Sequence, residues 1–329
     1  MAKPGRVVNV TIPNQCLYSF SRPIEVMNLL GILKPEYLYQ PEYLYRRLLN
    51  VQSDISSEFA DLSMPCDLKI RVRPLEEHGK ALATLGVVDL VTSEALWRLT
   101  DPGEISLDVG ANIGYMSAIL AARTALKSGG KVYAFEAHPE IFEELSFNLK
   151  NWQTRLSNVT LISQQVALSD RIGVVHISEP LGFDTNRGLA SIAFQNADSV
   201  SQPEIENISV KSTSLDTVLP DTSIGVMKLD VEGHELNVLK GTANLLRQHK
   251  IRDCIFEEHN DYPTSVTQYF EEWGYSIFRL KRNFYGPSLV NPHMPVSEVR
   301  WLPKSLLATC QPKRAIRRFE RKGWKILSR

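Results

Sequence analysis

The sequence predicts an α/β fold with a doubly wound, mainly parallel sheet. Apolar segments of strand length alternate with segments of helical periodicity between about residues 93 and 280. This alternation is typical of parallel sheets that helices cover on both faces. The first strand leads directly into a glycine-containing turn and a helix. Acidic residues also end several strands, at the edge where sheets of this kind bind their ligands.

The stretch of residues 105–120 reads as strand, tight turn and helix. An apolar strand leads to Asp108, and Gly110 and Gly114 enclose a turn that contains Asn112. This order brings bare backbone and a helix N-terminus beside a ligand. The spacing disfavours NAD, because Asn112 replaces the second glycine of the dinucleotide fingerprint and the last glycine comes one residue early. An acid two residues before the first glycine suits a cofactor with a positively charged amino-acid portion, such as S-adenosyl-L-methionine.

The next predicted strand, residues 131–136, ends in Glu136. Pro139 follows at a position typical of the first turn of a helix. An acid at this strand tip can accept hydrogen bonds from ribose hydroxyls, and Glu136 lies 22 residues after Gly114, close to the expected offset. We therefore predict that Glu136 binds a ribose, a role that both NAD and S-adenosyl-L-methionine would allow.

Five short motifs resemble those of the FkbM-type methyltransferases and occur in the same order. They are Asp108-Val-Gly-Ala-Asn-Ile-Gly114, Phe135-Glu-Ala-His-Pro139, Ala167-Leu-Ser-Asp170, Ser214-Leu-Asp-Thr-Val-Leu219 and Asp230-Val-Glu-Gly-His-Glu235. The resemblance spans roughly residues 85–305. It implies a Rossmann-like class I methyltransferase sheet, S-adenosyl-L-methionine as cofactor, and O-methylation of a hydroxyl on a sugar, a glycan or a secondary metabolite.

The resemblance also implies roles for individual residues at the matching positions. The cofactor loop is assigned to Asp108, Gly110, Asn112 and Gly114; the ribose to Glu136; the region near the adenine to Ala167, Ser169 and Asp170; and the end of the fourth strand, at the edge of the cofactor site, to Asp230.

A base must take the proton of an acceptor hydroxyl as the methyl group is transferred. His259, after the fifth strand, is the first candidate, because its ordinary pKa of about 6.5 leaves it largely neutral at cytoplasmic pH. Asp230, Glu232 and His234 are the other candidates, since the strand ends place them near the same crevice.

Two alternative functions stay open at this point. The first alternative is a metal-assisted mechanism, in which Mg²⁺ chelates a catechol-like diol and lowers the pKa of its hydroxyl. It is suggested by the cluster of Asp230, Glu232, Glu258 and His259. A divalent metal is therefore an alternative cofactor, which we do not favour, and no metal ligand is assigned. The other alternative is a non-catalytic binding module with a methyltransferase fold.

The chain divides into three predicted parts. Residues 1–84 are an N-terminal extension and a candidate substrate cap; they contain a tandem repeat from Pro35 that predicts two short helical turns. Residues 85–310 are the methyltransferase domain, with a predicted lid loop at 180–205. We also predict a strand at 68–73 that forms a hairpin or an edge pair, a helix that begins at Ser93 as its N-cap and ends at about Leu99, and a helix over 236–248. Residues 311–329 are a basic amphipathic C-terminal tail.

Composition limits the partners and the compartment. The 329 residues are 43% hydrophobic, carry 37 basic and 37 acidic side chains, and include four scattered cysteines. We find no membrane-span or signal-peptide pattern and predict a cytoplasmic protein with reduced thiols. Residues 313–329 hold eight Lys/Arg against Glu320 alone, so this tail could contact an anionic membrane or a partner protein. The acidic remainder of the chain argues against nucleic acid, which leaves a small-molecule or glycan acceptor.

Overall fold

The computed structural model describes residues 34–48, 57–179, 183, 191–192, 207–294 and 304–327. The helices in this part are α1 (Pro35–Tyr39), α2 (Pro41–Leu48), α3 (Glu77–Leu85), α4 (Leu90–Leu99), α5 (Tyr115–Thr124), α6 (Pro139–Gln153), α7 (Leu215–Val218), α8 (Glu235–Lys240), α9 (Ala243–Arg247), α10 (Ser265–Glu272) and α11 (Pro312–Phe319). The strands are β1 (Ala60–Ser63), β2 (Lys69–Val72), β3 (Ile105–Val109), β4 (Gly130–Glu136), β5 (Val159–Gln165), β6 (Ala167–Leu168), β7 (Gly173–Ser178), β8 (Ser191–Ile192), β9 (Asn207–Thr213), β10 (Ile224–Leu229), β11 (Ile251–Glu257), β12 (Ser276–Asn283), β13 (Gly286–Val290) and β14 (Ser305–Thr309).

An eight-stranded sheet forms the centre of the molecule, in the order β13-β12-β14-β11-β10-β3-β4-β5. The strands from β11 to β5 run parallel to one another, whereas β14, β12 and β13 are joined by antiparallel pairing. The predicted doubly wound, mainly parallel sheet is therefore confirmed. The strands predicted beyond the first loop are present within a few residues of their expected bounds.

The core lies on both faces of this sheet. Every residue of β10 is buried, and its side chains alternate between the two faces, with Val226 in one hydrophobic cluster and Met227 in the other. Helices α4, α5 and α6 contribute to the cluster of Val226, and α8, α9 and α10 contribute to that of Met227. The apolar runs read from the sequence thus correspond to strands that are covered on both sides.

The described part of the N-terminal extension packs on the same core. The tandem repeat forms α1 and α2, which each begin at a proline as predicted, and β1 pairs with β2 in the predicted hairpin. Ile70, Val72 and Leu82 belong to the same cluster as the helices of the central sheet. A role as substrate cap stays a prediction.

A second, four-stranded sheet has the order β6-β9-β7-β8. Its strands β7 and β9 correspond to the β-like runs of the sequence between the third and fourth predicted strands. The expected lid at 180–205 lies outside the described residues, apart from residues 183, 191 and 192.

The prediction that a helix begins at Ser93 is wrong. Helix α4 begins at Leu90, and Asp89 is its N-cap, with the Asp89 carboxylate accepting a hydrogen bond from Thr92 N at 3.1 Å. Ser93 lies inside the helix, where its hydroxyl donates to Val88 O at 2.9 Å. An aspartate and a serine four residues apart are both good N-caps, so the sequence alone did not distinguish them.

The single helix predicted over 236–248 is also wrong, because the chain forms α8 and α9 with a break at Gly241. A Cβ on Gly241 would lie 2.0 Å from Ser169 O, so the backbone passes too close to Ser169 for any other residue. Helix α9 then starts afresh, and the Asp216 carboxylate accepts hydrogen bonds from Asn244 N and Leu245 N at 2.9 and 3.1 Å.

The C-terminal segment, defined here as residues 312–327, belongs to the main core. Ala315, Phe319, Trp324, Ile326 and Leu327 are all buried in the cluster that also contains α4 and α5. The guanidinium of Arg98 in α4 donates hydrogen bonds to carbonyl oxygens of four residues in this segment, at positions 318, 319, 321 and 323. The predicted amphipathic helix is present as α11, but the segment is integrated into the domain.

The helices of the described ranges include none that is long and apolar enough to cross a bilayer. Cys66, Cys254 and Cys310 are free thiols, and Cys16 lies outside the described residues. The cytoplasmic location stays a prediction.

Candidate active site

A cleft opens where β3, β4 and β10 end, and we call it the strand-end cleft. It encloses about 1090 Å³, including its open mouth. The parallel strands bring the ends of three motifs together, because the carboxyl ends of parallel strands meet at one edge of the sheet. Most of the lining residues come from the end of β3 and its turn, the end of β4, β6 and the end of β10, and the others come from α3, α5, α6 and β7. The full set is His78, Asp108 to Ile113, Tyr115, Met116, Phe135 to His138, Ile141, Val166 to Leu168, Ile177, Lys228 and Asp230 to Glu232.

Gly110 allows the β3 turn to pass against the end of β10. Its φ is 74°, and a Cβ at this position would lie 1.7 Å from Asp230 O. The two strand ends are tied together by Asp230 N, which donates to Val109 O at 3.0 Å. The glycine predicted for the cofactor loop is thus required by a close backbone approach at the floor of the cleft.

Asn112 and Glu136 are joined through the backbone of the turn. Asn112 has a left-handed φ of 49°, and its N–H donates to Glu136 Oε2 at 2.8 Å. The other carboxylate oxygen accepts from His138 N at 2.9 Å. Burial raises the pKa of Glu136, and each of its oxygens keeps a lone pair for a ligand in the cleft.

Gly114 ends the turn, and its predicted role in the cofactor loop stays a prediction. It lies outside the cleft lining, and a Cβ there would lie 2.8 Å from Leu145 Cδ1 and 3.2 Å from the Trp152 ring. Gly114 therefore permits α5 to pack against α6.

Asp108 is buried at the end of β3 and lines the cleft. It accepts a hydrogen bond of 2.6 Å from the Ser117 hydroxyl, while burial raises the pKa of its carboxyl to about 6. The α5 residue Ser117 was not singled out in the sequence, although it lies where the helix turns back over the strand end.

Lys228 and Asp230 form an ion pair beside Asp108, with Lys228 Nζ 2.8 Å from Asp230 Oδ2. Burial opposes both charges, but the attraction between them prevails, so the pKa of Lys228 is raised and that of Asp230 is lowered. Asp230 is therefore a fixed negative charge in the cleft, and Lys228 holds it in position.

Glu232 follows Asp230 in the cleft lining, in a left-handed turn with φ 49°. Burial raises the pKa of its carboxyl to about 7, and the charges of Asp230, Glu257 and Glu235 add to the increase. A carboxylate with a pKa near 7 can accept a proton at neutral pH.

His259, the first candidate for the base, lies outside the cleft lining. Its side chain is 53% exposed and sits 3.7 Å from Glu257 Oε1. Its Nδ1 lies 2.7 Å from Lys304 Nζ. The structure therefore brings Asp230 and Glu232 into the cleft lining, whereas His259 is exposed and lies outside that lining.

The predicted adenine region is only partly in the cleft. Ala167 lines it, whereas Ser169 and Asp170 lie outside the lining. The Ser169 hydroxyl lies 3.0 Å from His234 Nε2, and Asp170 Oδ1 accepts from the Ser169 hydroxyl and the amide of Asn237. These side chains connect β6 to α8, and burial lowers the pKa of His234.

Two histidines in the lining were missed by sequence reasoning. His138 precedes Pro139 in the second motif, which was a usable signal; its Nε2 lies 2.8 Å from Glu179 Oε1. Its buried Nδ1 has no hydrogen-bond partner within the described residues. His78 comes from α3, far from every motif, and no sequence signal could have found it.

The four residues of the metal-assisted alternative do not form a metal site. Among the residues that the structure describes, no three or more His, Cys, Asp or Glu side chains are grouped so that they could hold a metal ion. Glu258 is buried and accepts hydrogen bonds from Asn260 instead.

The fold and the cleft define a class I methyltransferase architecture. The family model described as the methyltransferase FkbM domain matches residues 108–277, which is more than half of the chain. The chain therefore belongs to the FkbM methyltransferase family.

Individual proteins are similar to this chain over parts of its length. The chain is 29% identical over 208 residues to the hexuronic acid methyltransferase AglP of Haloferax volcanii, covering 62% of this chain and 76% of the relative. It is 43% identical over 81 residues to a protein-L-isoaspartate O-methyltransferase of Aeropyrum pernix, covering 24% and 28%. The crystal structure of methyltransferase FkbM from Methylobacillus flagellatus matches with 20% identity and a TM-score of 0.38, over 64% of this chain and 44% of that one. The chain thus spans less than half of that structure.

Proposed function

We propose that this chain is an S-adenosyl-L-methionine-dependent O-methyltransferase that acts on a hydroxyl of a sugar, a glycan or a secondary metabolite. The observation that carries the proposal is the strand-end cleft, where the Gly110 turn, Glu136, Asp230 and Glu232 surround one space. Family membership supports methyl transfer, and the hexuronic acid methyltransferase among the relatives supports a sugar as acceptor.

The cleft residues fit a nucleoside cofactor with a positive charge. The lone pairs of Glu136 that its two backbone bonds leave open suit ribose hydroxyls. The buried Nδ1 of His138 offers a further polar contact beside them. The carboxylates of Asp108 and Asp230 together outweigh the single positive charge of Lys228, and the net negative charge favours a cationic ligand. When bound, S-adenosyl-L-methionine supplies a methyl group on a positively charged sulfur.

Glu232 is the base in this proposal, and His259 is not. Glu232 lines the cleft and has a pKa of about 7, so a useful fraction of it is ionised at neutral pH. Asp230 is already engaged by Lys228, which lowers its pKa and makes it a weaker base. Asp230 orients the site, and Glu232 takes the acceptor proton.

Calorimetry with S-adenosyl-L-methionine, S-adenosylhomocysteine and NAD tests the cofactor. Binding of the first two and not of NAD is the expected result. Binding of NAD alone would contradict the proposal.

Mass spectrometry then tests the acceptor, with hexuronic acids, neutral sugars and catechols supplied with the cofactor, with and without a chelator. We expect the mass of one methylene unit to be added to a sugar in either condition. Methylation of catechol that the chelator abolishes would favour the metal-assisted alternative, and cofactor binding without methylation of any compound would favour a binding module.

A further inference from the structure

A second concave site, which we call the basic pocket, lies away from the strand-end cleft. It is lined by Trp97, Arg98, Arg123, Arg318, Arg321 and Lys325. Trp97 and Arg98 end α4, and Arg123 lies in the last turn of α5. Both helices lead into strands at this point, so the pocket lies beside the amino ends of the parallel strands, opposite the cleft.

We propose that the basic pocket binds a phosphate group, such as the monophosphate or diphosphate of a small molecule. Arginine forks match phosphate oxygens in pairs of hydrogen bonds, which makes clustered guanidinium groups a typical phosphate site. The proposal concerns binding at this pocket, and it is independent of methyl transfer in the cleft.

Arg98 builds the pocket and does not bind the anion. Its guanidinium is buried and pairs with Glu94 at 2.6 Å. Its other nitrogens donate to four carbonyl oxygens of the C-terminal segment, including Arg321 O at 2.6 Å and Gly323 O at 2.5 Å. Arg98 thus fixes the backbone that carries Arg321.

The carboxylates near the pocket are already engaged by other arginines. Glu94 pairs with Arg98, and Asp101 is shared by Arg252, Arg314 and Arg318. Within the described ranges, neither Arg123 nor Arg321 forms an ion pair with an acidic side chain. In the part of the chain that the structure describes, an anion would therefore find the guanidinium groups of Arg123 and Arg321 without a direct carboxylate partner.

Arg123 shows the effect of several positive charges that lie close together. Burial lowers the pKa of its guanidinium, and the positive charges of Arg318 and Arg321 lower it further, against the attraction of Asp101. The guanidinium lies 5.4 Å from the centroid of the Trp97 ring, which holds it at the pocket wall by a cation–π contact. A phosphate bound between Arg123 and Arg321 would relieve the repulsion.

The test is titration calorimetry of the full chain with inorganic phosphate and inorganic pyrophosphate, at low and high salt. Arg321→Gln removes one guanidinium group from the pocket. Because the Arg321 side chain is exposed, this substitution should not disturb the packing of the domain. The matched control is Arg155→Gln, an exposed arginine after α6. A second variant, Arg123→Gln, removes the group on the opposite wall.

We expect the wild type and Arg155→Gln to bind pyrophosphate equally, and each pocket variant to lose about tenfold to a hundredfold in affinity. S-adenosyl-L-methionine affinity should stay unchanged in all of them. Equal pyrophosphate affinity in the wild type, Arg321→Gln and Arg123→Gln would overturn the proposal.

A parallel arm uses vesicles that contain phosphatidic acid, to distinguish a lipid phosphate from a soluble one. Co-sedimentation that Arg321→Gln reduces, and that pyrophosphate competes away, would assign the pocket to a lipid headgroup. Pyrophosphate binding without vesicle binding would assign it to a soluble phosphate. Vesicle binding that neither Arg321→Gln nor pyrophosphate changes would show a contact elsewhere and would count against the pocket.

Discussion

The strand-end cleft and the basic pocket lie at opposite ends of the parallel strands of one sheet, and they are built in different ways. The cleft is made of backbone turns and of carboxylates that lie in or directly after the last residues of the strands, namely Asp108, Glu136 and Asp230. The basic pocket is made of long cationic side chains from helices and from the C-terminal segment. The same sheet thus offers an acidic site whose position the strands fix and a basic site whose position side-chain packing fixes.

The two sites therefore depend on different parts of the chain. The cleft depends on close backbone contacts between neighbouring strands, and the basic pocket depends on the docking of residues 312–327 against α4. A substitution should affect one site without the other, and the following variants test this separation.

Trp324→Ala should have the largest effect on stability. Trp324 is fully buried, and its indole N–H donates to Phe284 O at 3.0 Å, so we expect a loss of about 3–5 kcal/mol in the free energy of unfolding. Urea unfolding measures it. Tyr285→Ala, a neighbouring residue that is 72% exposed, is the control and should cost less than about 0.5 kcal/mol. Equal costs would mean that the C-terminal segment is a separable tail after all.

Gly110→Ala should abolish the cleft and spare the basic pocket. The added Cβ meets the backbone oxygen of Asp230, so the end of β10 must move, and we expect S-adenosyl-L-methionine affinity to fall by about a hundredfold or more. Gly129→Ala is the matched control, since Gly129 also has a positive φ, of 94°, but nothing lies within 4 Å of the added carbon. It should cost about 1–2 kcal/mol of stability and leave the affinity unchanged. Calorimetry that finds both variants equally competent would remove Gly110 from the site.

The same contrast explains what the sequence could predict. The sequence predicted that Gly110, Asn112 and Glu136 lie together in one cleft, because a strand, a turn and a helix in succession are local features. Gly114 and Ser169 belong to the same motifs but lie outside the cleft lining, where they contact helices that are distant in sequence. A motif does not distinguish a residue that lines the cleft from one that packs against a helix.

The basic pocket could not be predicted, because it depends on contacts between residues far apart in sequence. Arg98 and Arg321 are 223 positions apart, and the sequence showed the basic C-terminus without showing what it packs against. For the same reason the sequence did not indicate that His78 lines the cleft or that His259 is exposed outside the lining. The distance of a side chain from the cleft depends on how the loop after a strand bends, which hydrophobic periodicity does not record.

Glu232→Gln should lower turnover by about a hundredfold while S-adenosyl-L-methionine affinity stays within a few-fold, because the carboxylate acts on the acceptor proton. The wild type should show a rate that rises with pH around the Glu232 pKa of about 7, and this limb should be absent in the variant. His259→Gln is the competing variant, and we expect it to retain most of the activity. The opposite ranking of the two turnover rates would return the role of base to His259.

Glu136→Gln should weaken S-adenosyl-L-methionine binding by about tenfold, since the amide keeps one acceptor oxygen and loses the charge. One of the two backbone hydrogen bonds to Asn112 and His138 is also lost, because the amide NH₂ cannot accept it. Glu143→Gln, an exposed residue of α6, is the control for calorimetry. An affinity equal to that of the control would make Glu136 a structural residue of the turn.

The smallest expected effect is a pH dependence of stability that Glu232 introduces. Its carboxyl pKa is about 7 in the folded protein, above its ordinary value of 4.5, so protonation favours the folded state. The stabilisation is fully present below pH 4.5 and is lost as the pH rises through 7. Glu232→Gln cannot ionise, so its free energy of unfolding should rise relative to wild type between pH 5 and pH 8. Because Glu232 is only partly buried, solvent screening should keep this gain below about 1 kcal/mol.

Urea unfolding at both pH values measures the gain, with Glu272→Gln as the exposed control. A gain that does not grow with pH would mean that the carboxyl titrates near its ordinary pKa, and the assignment of Glu232 as the base would lose its physical support.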